Sequence, residues 1–197
     1  MPPGEPPIPD EQLDAILVGG REAGPITIVA YDPDWPRRFE TERARIIAAL
    51  GSRVLAIEHV GSTSVPGLGA KPIVDICLTV ADAEAEEAFA PELIAAGYLL
   101  RVVEPGHRMF RTPARDVHLH IYSQGSDEIE RYLVFRDYLR EHAQARAEYE
   151  RVKRELASRP WDDMNQYARQ KTPVIQAIVS RAQAAARASA PPSADRR

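Results

Sequence analysis

One carboxylate interrupts an apolar segment of the sequence, and its chemistry requires a partner. In PIVDICLTV, Asp75 shares one face of a predicted strand with Ile73 and Cys77, because side chains alternate between the two faces of a strand. An isolated charge is costly to bury, so this carboxylate must be paired, hydrogen-bonded or bound to a metal ion. We therefore predict that Asp75 belongs to a functional site, and an ion pair with Lys71 or an arginine is the structural alternative.

The loop that precedes this strand is rich in hydrogen-bond donors. In the segment GSTS, Gly61 allows a ligand to approach the backbone closely, and Ser62 and Thr63 add hydroxyl groups. If a short helix or turn begins here, its free N–H groups would bind an anion. The alternative is a connecting loop whose residues only satisfy turn geometry. We predict that these residues, together with Lys71, bind a ligand.

Two histidines alternate in another apolar segment. In DVHLHIYS, His118 and His120 share one face of a predicted strand. With Asp75 and Cys77 they would suit Zn²⁺ or another transition metal better than Mg²⁺. His59 and Cys77 are further candidate ligands, although Cys77 also fits a small core residue. Alternatively, the histidines hydrogen-bond a phosphate or serve as a general base.

Two cations fall within apolar faces of predicted helices. By the 3.6-residue period, Arg136 is surrounded by apolar residues of IERYLVFRDYLREH, and Lys171 has a similar setting in the next helical region. A cation in an apolar face must reach an anion. We therefore predict catalytic roles for Arg136 and Lys171 next to Asp75 or a bound phosphate. A structural salt bridge is the alternative.

Further cations lie on a predicted helix and around a predicted hairpin. Lys153 lies at the edge of the apolar stripe of its helix, where it is a predicted ligand-binding residue. The hairpin RVVEPGHRMFRTPARD carries the basic residues Arg101, His107, Arg108, Arg111 and Arg115. In a net acidic protein this local cluster fits a polyanionic ligand such as a nucleotide, bound by Arg108 and Arg111. A solvated hairpin face is the alternative.

The elements that must position these residues are strands alternating with helices, followed by helices alone. Strands are predicted at PITIVAY, RVLAIEHV, PIVDICLTV, YLLRVVE, HRMFRT and DVHLHIYS, and helices at DPDWPRRFETERARIIAALG and DAEAEEAFAPELIAAG, with Pro91 as a candidate break in the second helix. This order predicts an α/β (α+β) fold in which a mixed sheet is flanked by helices and carries a C-terminal helical layer. We place a flexible, proline-rich N-terminus with a short helix at residues 1–24, the sheet domain at 25–125, the helical part at 126–185 and a disordered tail at 186–197.

Composition restricts the classes of partner. The chain has 197 residues and a net charge of -4, which disfavours non-specific nucleic-acid binding. It has one cysteine and no apolar stretch approaching the ~20 residues that span a bilayer. No signal peptide is recognisable. We expect a cytoplasmic protein without a membrane partner.

The motif HVGSTSVPGLGAKPIVDI resembles the signature of the GrpB family, and the likeness continues through YDPDWPRRFETE, VHLHIY, FRDYLREH, YERVKRELA and YARQKTPVI. That family resembles the nucleotidyltransferase superfamily, and a similar module is fused to some bacterial dephospho-CoA kinases. The resemblance implies a nucleotidyltransferase-like fold. Working nucleotidyltransferases place two carboxylates two residues apart on one strand to hold two Mg²⁺ ions. Here Asp75 has Cys77 at that spacing.

The resemblance implies a function for the residues named above. A nucleoside triphosphate would bind through Gly61, Ser62 and Thr63, and its nucleotidyl group would pass to an unidentified small molecule or protein. Asp75 would bind the metal, while Arg111, Arg136 and Lys171 would neutralise developing charge. Two alternatives stay open, a non-catalytic nucleotide- or partner-binding module and a transition-metal enzyme using the His/Asp/Cys cluster. A homodimer is a further option.

Overall fold

The computed structural model describes residues 14–161 and 163–189, which fold around one mixed sheet. Its strands are β1 (Ala56–Val60), β2 (Val74–Val80), β3 (Leu99–Glu104), β4 (His107–Arg111) and β5 (Val117–Ser123), in the spatial order β1-β2-β5-β4-β3. The central pair, β2 and β5, is parallel, and the other neighbours are antiparallel. The central pair therefore brings the two predicted site strands side by side.

Helices cover both faces of this sheet. α1 (Trp35–Leu50) and α2 (Ala90–Ala95) pack on one face. The C-terminal helical layer consists of α3 (Asp127–Glu141), α4 (Ala143–Ala157), α5 (Met164–Gln170) and α6 (Thr172–Ser189). Its Tyr132 reaches the other face of the sheet, where it joins Val60, Cys77 and Tyr122. The predicted mixed sheet with flanking helices and a C-terminal helical layer is thus confirmed.

The alternation along β2 separates the two faces as predicted. Val74, Ile76 and Leu78 are fully buried against Trp35, Phe39 and other apolar residues of the α1 face. Asp75 and Cys77 point to the opposite face. Burial of large aliphatic side chains contributes about 1.5–3 kcal/mol each. The α1 face therefore fixes the register that orients Asp75.

Some local predictions were wrong. The segment PITIVAY forms no strand; only Val29 makes an isolated bridge, to Ala70. The helix predicted over residues 82–97, with Pro91 as a candidate break, is a 3₁₀ turn at Glu86–Ala88 followed by a helix that begins at Ala90, because Pro91 lacks an N–H and is tolerated only in the first turn. Residues 186–189, expected in a disordered tail, belong to α6.

The N-terminal segment lies on β3, although the sequence indicates flexibility up to residue 24. The short helix was predicted over residues 10–20; residues 14–16 are helical, residues 17–20 are not, and residues 10–13 fall outside the described residues. Leu17 bridges to Val102, and the N–H of Val18 donates to the carbonyl of Arg101 at 2.9 Å.

No helix in the described ranges is long and apolar enough to cross a membrane.

A candidate metal centre in a basic cavity

The predicted metal-binding residues meet at the sheet centre. Parallel pairing of β2 and β5 sets Asp75 beside His118 and Cys77 beside His120. Asp75 Oδ1 lies 3.3 Å from His118 Nδ1 and 3.9 Å from His120 Nε2. One ligand atom from each of Asp75, His118 and His120 falls within 4.8 Å of the others. The three side chains could hold a single ion together.

A hydrogen-bonded chain extends from His120 to the hairpin edge. His107 Nε2 lies 3.1 Å from His120 Nδ1, and His107 Nδ1 lies 2.5 Å from Glu104 Oε1. The His107 ring also stacks on Tyr122, with centroids 4.6 Å apart. Sequence reasoning named His107 only as a basic residue and missed Glu104. The usable signal was strand alternation, which sets His107 on the same sheet face as its cross-strand neighbours on β5.

The protonation of these groups follows from burial and from their neighbours. Burial opposes ionisation of Glu104, but the hydrogen bond with His107 outweighs it and leaves the pKa of this carboxyl below its ordinary value. Burial lowers the pKa of His107, and it lowers the pKa of His120 to about 3. At neutral pH the chain therefore consists of one carboxylate and two neutral imidazoles.

This state fixes the direction of each hydrogen bond. The Glu104 carboxylate can only accept, so the Nδ1–H of His107 donates to it. The Nε2 of neutral His107 is then an acceptor, and it receives the Nδ1–H of His120. His120 consequently directs the lone pair of its Nε2 toward Asp75 Oδ1, another acceptor, across 3.9 Å. Two acceptors in this arrangement are complementary to a cation between them.

The chemistry of the ligand set indicates which cation fits. Burial opposes ionisation of Asp75, but the neighbouring His118, with Nδ1 3.3 Å from Oδ1, favours the carboxylate, and the pKa of this carboxyl lies well below its ordinary value. One carboxylate oxygen and two imidazole nitrogens suit Zn²⁺ or a similar transition metal. Mg²⁺ prefers an all-oxygen environment. The residues present fit a divalent transition metal.

All three lysines of the chain line the same cavity. The sequence contains Lys71, Lys153 and Lys171, and the other 22 of its 25 lysine and arginine residues are arginines. The cavity has a volume of about 450 Å³ and also contains Asp75, His118 and His120. Because an ammonium group changes its pKa on burial more readily than a guanidinium does, this location favours shifted lysine pKa values. The scarcity of lysine is a sequence signal that could have grouped these three residues.

The lysine ammonium groups have few anionic partners. Lys153 donates to Ser62 Oγ at 3.1 Å and to the carbonyl of Gly69. Lys71 and Lys171 lie over the ring of Tyr167, with Nζ 5.7 Å and 4.8 Å from its centroid. In the parts of the chain that the structure describes, no carboxylate oxygen is within 4.0 Å of any of the three. Burial, assisted by neighbouring lysines, lowers the pKa of Lys153 to about 7 and that of Lys171 to about 8.

The glycine-serine loop is shaped by its contact with Asp75. Gly61 has φ 69°, and a Cβ at this position would lie 2.3 Å from Asp75 Oδ2, so only glycine fits. Ser62, in a short 3₁₀ turn, lines the cavity. Thr63 is buried behind it, where it donates to the carbonyl of Ile73 at 3.1 Å and therefore accepts from His59 Nε2. Thr63 thus positions the loop, and the structure does not place it at the cavity.

Two predicted cations lie elsewhere. Arg136 lies outside the lysine-lined cavity, with Nη1 2.8 Å from Glu58 Oε2 and Nε 2.7 Å from Asp137 Oδ1. It therefore forms structural salt bridges, the alternative to a catalytic role. Arg108 pairs with Glu84 and Glu86, because it alternates with His107 and Arg111 along β4 and so points to the other sheet face. The roles predicted for Arg136 and Arg108 at the ligand are corrected accordingly.

Neither of the two further candidate ligands joins the metal site. Cys77 lies in the apolar cluster with Val60, Tyr122 and Tyr132, and burial raises the pKa of its thiol to about 12. His59 stacks on Phe39, with centroids 4.9 Å apart, on the α1 side of the sheet. Burial lowers its pKa to about 4. The site therefore consists of Asp75, His118 and His120 without a thiolate.

Residues 25–181 match the model of the family described as GrpB protein. A UPF0157 protein of Streptomyces coelicolor is 54% identical over 171 residues, which cover 87% of this chain and 91% of that protein. The crystal structure of the conserved protein GrpB from Enterococcus faecalis superposes with a TM-score of 0.73 at 34% identity, covering 81% of this chain and 99% of that one.

A longer relative carries the same region. A dephospho-CoA kinase of Mycolicibacterium paratuberculosis is 30% identical over 178 residues, which cover 76% of this chain and 44% of that protein. The resemblance to a module found in such kinases is thus confirmed. Because the match covers under half of the kinase, the name describes that protein alone.

Proposed function

The chain belongs to the GrpB family, and we propose that it binds a nucleoside triphosphate in the lysine-lined cavity and transfers the nucleotidyl group to an acceptor. The proposal depends on one observation. All three lysines of the chain share a cavity with the Asp75–His118–His120 cluster. An excess of ammonium groups beside a candidate metal site favours a polyphosphate ligand.

Asp75, His118 and His120 would hold a divalent transition metal. When bound, the ion would supply Lewis-acid polarisation of a phosphoryl oxygen. The chain of hydrogen bonds from Glu104 through His107 keeps the Nε2 of His120 available as a ligand atom. The geometry supports one ion rather than the two-ion arrangement, because Cys77 is buried in an apolar cluster where a second carboxylate would stand.

The lysines would bind the phosphates and balance the charge that develops during transfer. Lys71 and Lys171 lie over Tyr167, and among the described residues neither has a carboxylate partner, so they are available to phosphate oxygens. Lys153, whose pKa is about 7, can hold or release a proton near neutral pH beside Ser62. In the transfer step an acceptor oxygen bonds to the α-phosphorus while the bond to the pyrophosphate oxygen breaks. Pyrophosphate leaves, and the acceptor proton is released to solvent.

Binding is tested first, by thermal unfolding of the tag-free chain with ATP, GTP, CTP or UTP, each with Mn²⁺, Zn²⁺, Mg²⁺ or EDTA. A ligand at a hundred times its dissociation constant stabilises a fold by about 2.7 kcal/mol. We expect a metal-dependent stabilisation that Lys171→Met removes. Arg181→Met is the matched control, because Arg181 is an exposed cation that pairs with Glu148 on α4. If no nucleotide stabilises the wild-type chain, the proposal fails.

Transfer is tested second, with the nucleotide that binds. The α-³²P-labelled nucleotide is incubated with the chain and a low-molecular-mass bacterial extract, and we measure pyrophosphate release together with label on new products. Asp75→Asn should abolish both. Binding without any product would instead support a second candidate, a non-catalytic nucleotide-binding module. The burial of Cys77 at the position of the second acid favours that candidate.

A further inference from the structure

A second basic cluster lies in the same cavity, on the side of the β3–β4 hairpin. We call Arg101, Arg111 and Arg115 the arginine cluster; all three line the cavity together with Glu22. Arg111 is the cross-strand partner of His118, so the cluster adjoins the candidate metal site. Its guanidinium groups are thus within the region where a reacting molecule would lie.

One carboxylate of the chain occupies this cluster. The two Nη atoms of Arg111 donate to the two Glu22 oxygens at 2.8 and 2.7 Å, and Arg115 Nη2 lies 3.3 Å from Glu22 Oε1. Among the residues that the structure describes, Glu22 provides the only carboxylate within 4.0 Å of Arg111 and Arg115. A guanidinium binds any planar or tetrahedral oxyanion in the same two-oxygen geometry.

Glu22 belongs to a mostly exposed segment that is held by hydrogen bonds rather than by apolar packing. Most residues from 18 to 24 are exposed, and Gly19 and Gly20 have φ of 85° and 74°. The carbonyl of Glu22 accepts from the N–H of Met164 at 3.0 Å, and Arg101 donates to the carbonyls of Val18 and Gly20. A segment with few buried contacts can detach locally at small free-energy cost. The Glu22 carboxylate could therefore leave Arg111 while the sheet stays folded.

We propose that Arg111 and Arg115 form a subsite for an oxyanion, a phosphate or carboxylate group of the acceptor molecule, and that Glu22 occupies this subsite when the acceptor is absent. The assignment to an acceptor depends on the proposed nucleotidyl transfer; the binding of an oxyanion does not. The lysines and the arginine cluster then divide the cavity between donor and acceptor. The acceptor class is an anionic small molecule.

The test measures the affinity of the metal-free full chain for inorganic phosphate and, separately, for acetate by isothermal titration calorimetry. Glu22→Gln should strengthen binding of one or both anions by about tenfold or more, because it removes a competing charge-assisted ion pair. Arg111→Met should abolish this binding, and Arg111→Lys should weaken it by losing the bidentate contact. Glu87→Gln is the matched control, because Glu87 is exposed and this substitution removes the same charge at a position away from the cavity.

The outcomes separate this proposal from the previous one. A preference for phosphate or for acetate in Glu22→Gln identifies the acceptor group. If Glu22→Gln leaves both affinities unchanged, or if Lys171→Met abolishes phosphate binding while Arg111→Met does not, the subsite assignment is overturned. Circular dichroism and the thermal midpoint of each variant without anion confirm that it is folded. Nucleoside triphosphate binding is measured on the same variants, so loss of the donor site is recognised independently.

Discussion

The two faces of one sheet are built from alternate residues of the same strands, yet one face is apolar and packed while the other carries polar groups that line a cavity. On the α1 face, Ile76, Leu119 and Phe110 are fully buried and contact apolar partners. On the cavity face, the neighbouring residues are Asp75, His118 and His120, together with a hydrogen-bonded His107. Apolar packing covers these three side chains of the first face. On the second face acceptor atoms face one another, and no carboxylate oxygen of the described residues lies within 4.0 Å of an ammonium group.

This difference shows how the protein can maintain a poorly compensated polar site. Burial of apolar surface contributes about 25 cal/mol per Å², so the apolar α1 face stabilises the fold. The rigid strands then hold the polar groups at fixed separations that they would not adopt alone. Substitutions on the first face should change stability without changing ligand affinity, and those on the second face should do the reverse.

The strongest break of the α1 face is Ile76→Ala. We expect a loss of about 2–5 kcal/mol in the free energy of unfolding, because a fully buried side chain is truncated in a closely packed core. Zn²⁺ affinity of the folded chain should stay unchanged. Urea denaturation measures the first quantity, and competition with a chromophoric chelator measures the second. Ile47→Ala, at a side chain 37% exposed on α1, is the control and should cost less. A fall in the Zn²⁺ affinity of Ile76→Ala would contradict the division between the faces, and equal stability losses in the two variants would contradict the role of burial.

The cavity face is broken most selectively by His107→Phe. Phenylalanine keeps the ring that stacks on Tyr122 but removes both hydrogen bonds, so His120 loses the group that fixes its tautomer. We expect Zn²⁺ affinity to fall about 10–100-fold, as for other groups that orient a ligand. Nitrogen-15 NMR of the metal-free wild type should show His120 protonated on Nδ1.

A conservative variant distinguishes this effect from general damage to the fold. Glu104→Gln breaks only the far end of the chain of hydrogen bonds, so its loss of Zn²⁺ affinity should be smaller than that of His107→Phe. Wild-type Zn²⁺ affinity in His107→Phe, or protonation of His120 on Nε2, would refute the orienting role.

Lys153 should make stability depend on pH. Its pKa is about 7 in the folded chain, against an ordinary value of 10.5, because burial disfavours the charged form. Between these values the unfolded chain binds more protons, so stability rises with pH by up to about 1.4 kcal/mol per unit from this group. Lys153→Met should flatten the rise between pH 7 and 9 in urea denaturation. Arg151→Met, an exposed cation on the same helix, should leave it intact. Identical slopes in wild type and Lys153→Met would exclude this contribution.

Sequence reasoning predicted the sheet, the faces of β2 and the meeting of Asp75 with His118 and His120, because strand alternation and apolar runs are local signals. It could not place Arg136 or Arg108, since each needs knowledge of carboxylates distant in sequence, Glu58 for one and Glu84 for the other. Glu22 was missed for the same reason. Its partner Arg111 is 89 residues away, and no local pattern reports such a pairing.

Cys77 tests whether the whole cavity face of β2 is functional or only the end of the strand that opens into the cavity. It shares the cavity face with Asp75, but it lies further along β2, where Tyr132 of α3 covers the sheet. Only the start of the strand opens into the cavity. Cys77→Ala should therefore cost about 1 kcal/mol of stability from lost packing and leave Zn²⁺ affinity unchanged. A marked loss of Zn²⁺ affinity would mean that the thiol reaches the ion, and that the cavity face is functional along its whole length rather than at its open end.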